Sequence, residues 1–181
     1  MKIYRSLVLA SLFFSACSKT PPTEPDLIKT ATIKDIMDSM VDPSAEFLFE
    51  SVVTIADEHG ITEKAPQTDA EWKEVRNRAV ILLEAPNLLA MNGRKVAQPG
   101  ERPQRPEIEL GPDEIQRLVD ADRGRFIKHA RALQDAALVL LKAIDNRDKQ
   151  ALFDGLTQVD KACENCHLEY WYPNDKKAAQ R

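Results

Sequence analysis

The sequence has little cysteine, little histidine and no convincing pattern for a β-strand. Its 181 residues include three cysteines and three histidines. A structural zinc site usually takes four ligands, and outside residues 163–167 only His59 and His129 are left as nitrogen donors. A thioredoxin-type dithiol needs a strand–helix–strand setting, which the pattern does not offer. The sequence therefore disfavours both a zinc-stabilised fold and a thioredoxin fold.

The N-terminus has an apolar stretch that is too short to cross a membrane. Residues 7–16 follow Lys2 and Arg5 and end in small side chains, whereas a membrane-spanning helix needs about 20 apolar residues. We therefore predict an export signal over 1–16. The residues before Cys17 resemble a bacterial lipobox, in which this cysteine is lipidated, although Phe14 replaces the usual aliphatic residue. The alternative is a plain secretory signal.

The balance of charge is acidic, with a formal net charge of −4. Loss of the signal would remove Lys2 and Arg5 and make the chain more negative, which argues against a nucleic-acid partner. Residues 17–29 are polar and carry prolines, so we predict a semi-rigid tether there. We expect an exported protein on the periplasmic side of a bacterial membrane, anchored by lipid to that membrane or to the outer one.

Four segments carry apolar residues at the three- and four-residue steps of a helix. The first is predicted to break or kink near Pro43 and to run to about His59, a solvated residue at its end. The second begins with a cap at Thr68 or Asp69, and Pro86 should bend or end it. No segment between the tether and the end of the chain is predicted to be a strand.

The third segment runs from about Pro112 to Asp145 with a break near Gly124, and the fourth begins near Asp148. Residues 92–112 between the second and third segments form a long loop, which is typical of a functional or a disordered segment. Four amphipathic helices without strands predict an all-α fold, an antiparallel four-helix bundle.

The fourth helix carries the motif Cys163-x-x-Cys166-His167. Offsets of three and four residues place all three side chains on one face, about a turn apart. Two thiols and an imidazole in this spacing are the signature of c-type haem attachment: the cysteines bind the vinyl groups and His167 is the proximal iron ligand. A disulfide between these cysteines would be strained, and a structural zinc site is the other alternative.

A helical bundle with this motif on its last helix resembles the cytochrome c-prime family. The resemblance covers roughly residues 30–172 and is most specific at 163–167. It implies one covalent haem c and a cytochrome domain over 30–173, followed by a polar tail over 174–181. The loop 92–112 is longer than the usual connection in that family.

The resemblance also implies which residues could bind on the distal side of the iron. Low-spin members bind a methionine from the first helix, and Met37 matches that position better than Met40, the second choice. High-spin members leave the site open and bind nitric oxide or carbon monoxide, which is the alternative function. Bis-histidine ligation by His129 is a further option, although a methionine or histidine on an apolar stripe is usually part of the core.

With His167 and Met37 as axial ligands, one-electron transfer is the expected function. We find no group of catalytic residues beyond the haem site, so we do not predict an enzyme. Expected partners are redox proteins of the periplasm or respiratory chain, the membrane through the lipid anchor, and a second copy of the chain in a homodimer. Arg94 and Lys95 are candidate partners of the haem propionates, as are several other arginines among which the sequence does not distinguish. Four aromatic residues are candidates for the apolar surroundings of the haem: Phe47, Trp72, Phe126 and Tyr170.

Overall fold

In a computed structural model, which describes residues 27–58 and 60–175, the chain is mostly helical. The helices are α1 (Ile33–Ile36), α2 (Asp42–Ser51), α3 (Asp69–Leu89), α4 (Pro112–Ala121), α5 (Arg123–Asp145) and α6 (Lys149–Tyr170), with two strands, β1 (Val53–Asp57) and β2 (Gly60–Lys64). The predictions for the signal, for Cys17, for most of the tether, for His59 and for the end of the polar tail lie outside the described residues.

The first helical segment begins at a capping box and changes its winding before a proline. The backbone N–H of Asp35 donates to the Thr32 hydroxyl at 3.0 Å, and its carboxylate accepts from the Thr32 N–H at 2.8 Å. Between α1 and α2, a π-helical turn spans Met37–Val41. Pro43 has no N–H, and its ring would clash with a carbonyl one turn earlier. The interruption predicted near Pro43 thus takes the form of a widened turn.

Our prediction that the first helix runs to about His59, with no strands, is wrong. The helix ends at Ser51, and β1 pairs antiparallel with β2 in the register Val53↔Lys64. Consecutive β-branched residues from Val52 to Ile55 are stiff at χ1 and suit a strand better than a helix. Gly60 has a φ of 123°, which only glycine adopts readily.

The remaining helices begin close to where the sequence predicts. Thr68 caps α3 in a capping box with Glu71, and the Asp148 carboxylate accepts from a backbone N–H at the start of α6. The third segment divides at Asp122, which caps α5, and this confirms the break predicted near Gly124. Helix α3 continues three residues past Pro86, so this proline does not end the helix.

The long helices pack side by side around a shared core. Helix α5 packs against both α3 and α6, and α2 packs against α3 and approaches α6 over a short stretch. Side chains that are fully buried in this core include Leu48, Leu82, Leu140, Leu152 and Val159. In the described part of the chain, no helix has both the length and the apolar character that crossing a membrane requires.

The long connection between α3 and α4 is fastened to the first and last helices. Backbone N–H groups of Ile33 and Lys34 donate to carbonyls of Lys95 and Val96 at 2.8 and 2.9 Å. Further along, the N–H of Leu110 donates to the carbonyl of Trp171 at 2.7 Å. This loop is therefore part of the packed structure.

Gly155 allows the close approach of α6 to α5. A Cβ added there would lie 2.9 Å from Cδ2 of Leu140, a side chain that is fully buried, so the Leu140 side chain or one of the two helices would have to shift. We predict that Gly155→Ala is less stable than Gly124→Ala by about 1–3 kcal/mol, the usual cost of overpacking.

Gly124→Ala is the matched control, because its Cβ would lie 3.6 Å from the nearest side-chain atom, an ordinary contact. Gly155 lies inside α6, so its substitution gains about 1 kcal/mol of helix propensity, whereas Gly124 lies in the first turn of α5 and gains no more than that. A lower stability of Gly155→Ala therefore reports the contact with Leu140. Urea unfolding measures both free energies. Equal values would show that α5 and α6 are not closely packed at this point.

Candidate functional site

The motif residues of α6 line one apolar cavity. Cys163, Cys166 and His167 border a space of about 370 Å³. The first helical segment and α5 form the rest of the wall, through Met37, Val41, Asp42, Ala45, Glu46, Phe49, Glu50, Phe126, His129, Ala130 and Leu133, with Leu89 and Ala162. The helical spacing of the motif thus does what the sequence predicts: it directs two thiols and an imidazole to the same space.

A second, smaller cavity of about 90 Å³ lies beside the first. Four residues line both cavities: Met37, Phe126, Cys166 and His167. The long loop supplies much of the second wall, through Val96, Ala97, Arg102, Pro103, Gln104, Glu109 and Leu110. The two cavities are therefore neighbouring parts of one site, and the loop covers its second part.

Both thiols are free and neutral in this setting. Burial raises the pKa of Cys163 to about 12, and the nearby carboxylates of Asp42 and Asp160 act in the same direction. Burial likewise raises the pKa of Cys166 to about 12. Across the described residues, no three His, Cys, Asp or Glu side chains are grouped so that they could hold a metal ion together.

His167 is held as a neutral imidazole between aromatic rings. Burial lowers its pKa, although the carboxylate of Glu164 acts in the opposite direction. The ring of Trp171 lies edge-on at a centroid distance of 5.2 Å, and the ring of Tyr172 lies at 5.7 Å. A neutral imidazole has a free lone pair on one nitrogen, which is the form that binds a metal.

The two methionines of the first segment differ in position. Met37 lines both cavities, whereas Met40 packs against the hydrophobic core and is not among the lining residues. The π-helical turn begins at Met37, and a π turn changes which residues share a face. Ligation of iron by Met37 stays a prediction, and its position at the cavity is consistent with it.

His129 reaches the wall of the larger cavity but has a partner of its own. Its Nε2 lies 2.8 Å from Oε2 of Glu169, whose other oxygen lies 2.5 Å from Nε of Arg125. This arrangement directs Nε2 towards α6 and leaves only Nδ1 without such a contact. The geometry does not favour His129 as an axial ligand.

Some of the residues predicted to surround the cofactor lie elsewhere. Phe126 and Tyr170 line the site, but Phe47 packs under the guanidinium of Arg78, and Trp72 lies in the core. The Arg94 guanidinium is buried and donates to the carbonyls of Leu88 and Ala31. Lys95 lines neither of the two cavities.

Arg102 is a site residue that the sequence did not single out. It lies in the long loop, lines the second cavity and is exposed. Lys34 lines the same cavity, but its ammonium is bound by Asp38 and Glu101 at 2.9 Å each. Arg102 is therefore the better placed cation for an acidic group of a cofactor. Nothing local in the sequence distinguishes it from the other arginines.

Glu109 fastens the loop over the site. Its carboxylate is buried and accepts from the backbone N–H groups of Gln104 and Arg105 at 2.8 and 3.0 Å. Burial alone would raise the pKa of Glu109, but hydrogen bonds from Arg105, Trp171 and Gln104 outweigh it and lower the pKa. The carboxylate thus joins the loop to the residue that packs on His167.

Comparison with protein-family models, with curated proteins and with solved structures finds no match to this chain. The chemistry of the cavity-lining residues is therefore the basis for assigning a function.

We predict that Glu109→Gln lowers the free energy of unfolding by about 1–3 kcal/mol near neutral pH, because two backbone N–H groups of the loop lose a charged acceptor. A lowered folded-state pKa contributes stability above the unfolded pKa, and this is lost as the pH falls through the folded value. The difference between the two proteins should therefore shrink in acid. Urea unfolding at several pH values measures it.

Glu107→Gln is the control, since this neighbouring side chain is exposed and its substitution should change stability by less than about 0.5 kcal/mol. Equal effects of the two substitutions would show that Glu109 does not fasten the loop.

Proposed function

We propose that the protein is an exported, membrane-tethered mono-haem c-type cytochrome of the cytochrome c-prime kind, working in one-electron transfer. The observation that supports this most directly is that both thiols and the imidazole of Cys163-x-x-Cys166-His167 line one apolar cavity. When bound, a c-type haem supplies an iron that gains and loses one electron.

The lining residues fit such a group. Each thiol would add across a vinyl group: its S–H bond and the π bond of the vinyl group would break, and one S–C and one C–H bond would form, with no leaving group. His167 would present a neutral nitrogen, and the apolar wall would exclude water, which tunes the reduction potential. Arg102, at the second cavity, would meet a propionate.

The proposed architecture is an antiparallel four-helix bundle. The first segment (α1, the π-helical turn and α2), α3, α4 together with α5, and α6 are its four members. Helix pairs joined by short connections are typical of such bundles. The hairpin of β1 and β2 and the long loop would be additions to the connections between helices.

Met37 is proposed as the distal ligand, because it lines both parts of the site beside His167. If Met37 and His167 both bound the iron, their thioether and imidazole would raise the reduction potential and favour electron transfer. An open distal position would instead favour binding of nitric oxide or carbon monoxide.

We predict that Met37→Ala converts a low-spin visible spectrum to a high-spin one, lowers the reduction potential and allows the reduced protein to bind carbon monoxide. Met40→Ala is the matched control: it loses a similar side chain from the same segment but none from the cavity wall. Spectra of the oxidised, reduced and carbon monoxide-treated proteins decide the question.

A wild-type protein that is already high-spin and shifts with carbon monoxide would indicate a gas-binding function. A colourless protein, after expression with the haem-attachment machinery, would reject the cytochrome.

The lipid anchor is proposed on Cys17. Cys17→Ser should release the protein from the membrane fraction and leave the haem spectrum unchanged, because the substitution removes the acylated thiol and lies far in sequence from the CxxCH segment. Fractionation followed by immunoblotting measures this. Retention of the serine variant on membranes would contradict the anchor.

A further inference from the structure

The chain turns back on itself directly after the CxxCH segment. Backbone N–H groups of Trp171 and Tyr172 both donate to the carbonyl of His167, at 2.8 and 2.9 Å. Helix α6 ends at Tyr170, and this turn brings the next two rings against the imidazole. The residues that follow the motif are thus held by the backbone of the proposed ligand.

The hydroxyl group of Tyr172 lies between Glu164 and His167. It is 2.7 Å from Oε2 of Glu164 and 3.4 Å from Nδ1 of His167. A phenol has one proton to donate, and the shorter contact, to a carboxylate, takes it. Towards Nδ1 the hydroxyl oxygen can therefore only accept, so this contact favours a proton on Nδ1 and a free lone pair on Nε2.

We propose that Tyr172, held by Glu164, is the positioning residue that sets the tautomer and orientation of His167 and strengthens Nε2 as an iron ligand. This inference rests on the proposed function. Histidines that bind metals almost always donate their second N–H to a carboxylate, a carbonyl or water, which raises their basicity as ligands. Here a phenol connects the imidazole to the carboxylate.

The helix itself supplies this arrangement. Glu164 stands within the spacing between the two cysteines, three residues before His167, so both lie on neighbouring parts of one face. A more basic imidazole favours oxidised iron over reduced iron. Tyr172 and Glu164 therefore lower the reduction potential, whereas a purely structural contact would leave it unchanged.

The test compares Tyr172→Phe and Glu164→Gln with the wild type, each purified with its haem. Loss of the hydroxyl keeps the aromatic ring and should shift the redox equilibrium roughly tenfold towards the reduced form, which is a rise of about 59 mV for one electron. The Nδ1 proton of His167, followed by NMR in the reduced protein, should exchange with solvent faster in both variants.

Asp160→Asn is the control for charge alone, since it removes an exposed carboxylate from the same helix and should shift the equilibrium less than twofold. If one chain of hydrogen bonds connects the two residues, the double variant should shift the equilibrium no further than the larger single variant.

A shift below twofold in Tyr172→Phe, with wild-type helical content by circular dichroism, would overturn the positioning role. So would equal shifts in Glu164→Gln and Asp160→Asn. Haem bands with an unchanged potential would reject this inference alone. A wild-type protein without haem bands would reject the proposed function together with it.

Discussion

The orientation of α6 about its own axis determines whether the cysteines and the histidine face the interior or the solvent. Leu152, Leu156 and Val159 are buried against the other helices, and the steps of four and three residues between them continue to Cys163 and Cys166. At 3.6 residues per turn, one stripe therefore carries both the core contacts and the thiols. Gly155 lets this stripe approach α5 closely, so the packing of apolar side chains sets the direction of the two thiols and the imidazole.

The helices and their starting points could be predicted because a helix start depends on neighbouring residues. The caps at Thr68 and Asp148 each act on an N–H group three residues away. The hairpin was missed because the apolar residues near Val53 and Ile55 fit a helical period as well as a strand. The run of β-branched residues and the backbone freedom of Gly60 favour the strand over the helix. The spacing of apolar residues contains neither of these preferences.

The motif residues could likewise be placed from their spacing, but their surroundings could not. Met37 and Met40 are three residues apart, and a regular helix would leave both near one face. The structure brings only Met37 to the cavity, where the π-helical turn precedes Pro43. The buried carboxylate of Glu109 and its partner Trp171 come from distant parts of the chain. Such a pair depends on the completed packing, and a local sequence pattern does not contain it.

Because the motif lies close to the C-terminal end of α6, a residue that follows the helix can contact the imidazole of His167. A motif in the middle of a helix would not allow this contact. In a helix that continued, the residue five positions after His167 would lie about 7.5 Å further along the axis and out of reach of the imidazole. Because α6 ends at Tyr170 instead, Tyr172 returns to within 3.4 Å of Nδ1. The same turn brings the carbonyl of Trp171 to Leu110 of the covering loop. The end of the helix therefore places the Tyr172 hydroxyl beside the imidazole and closes the wall next to it with one change of backbone direction.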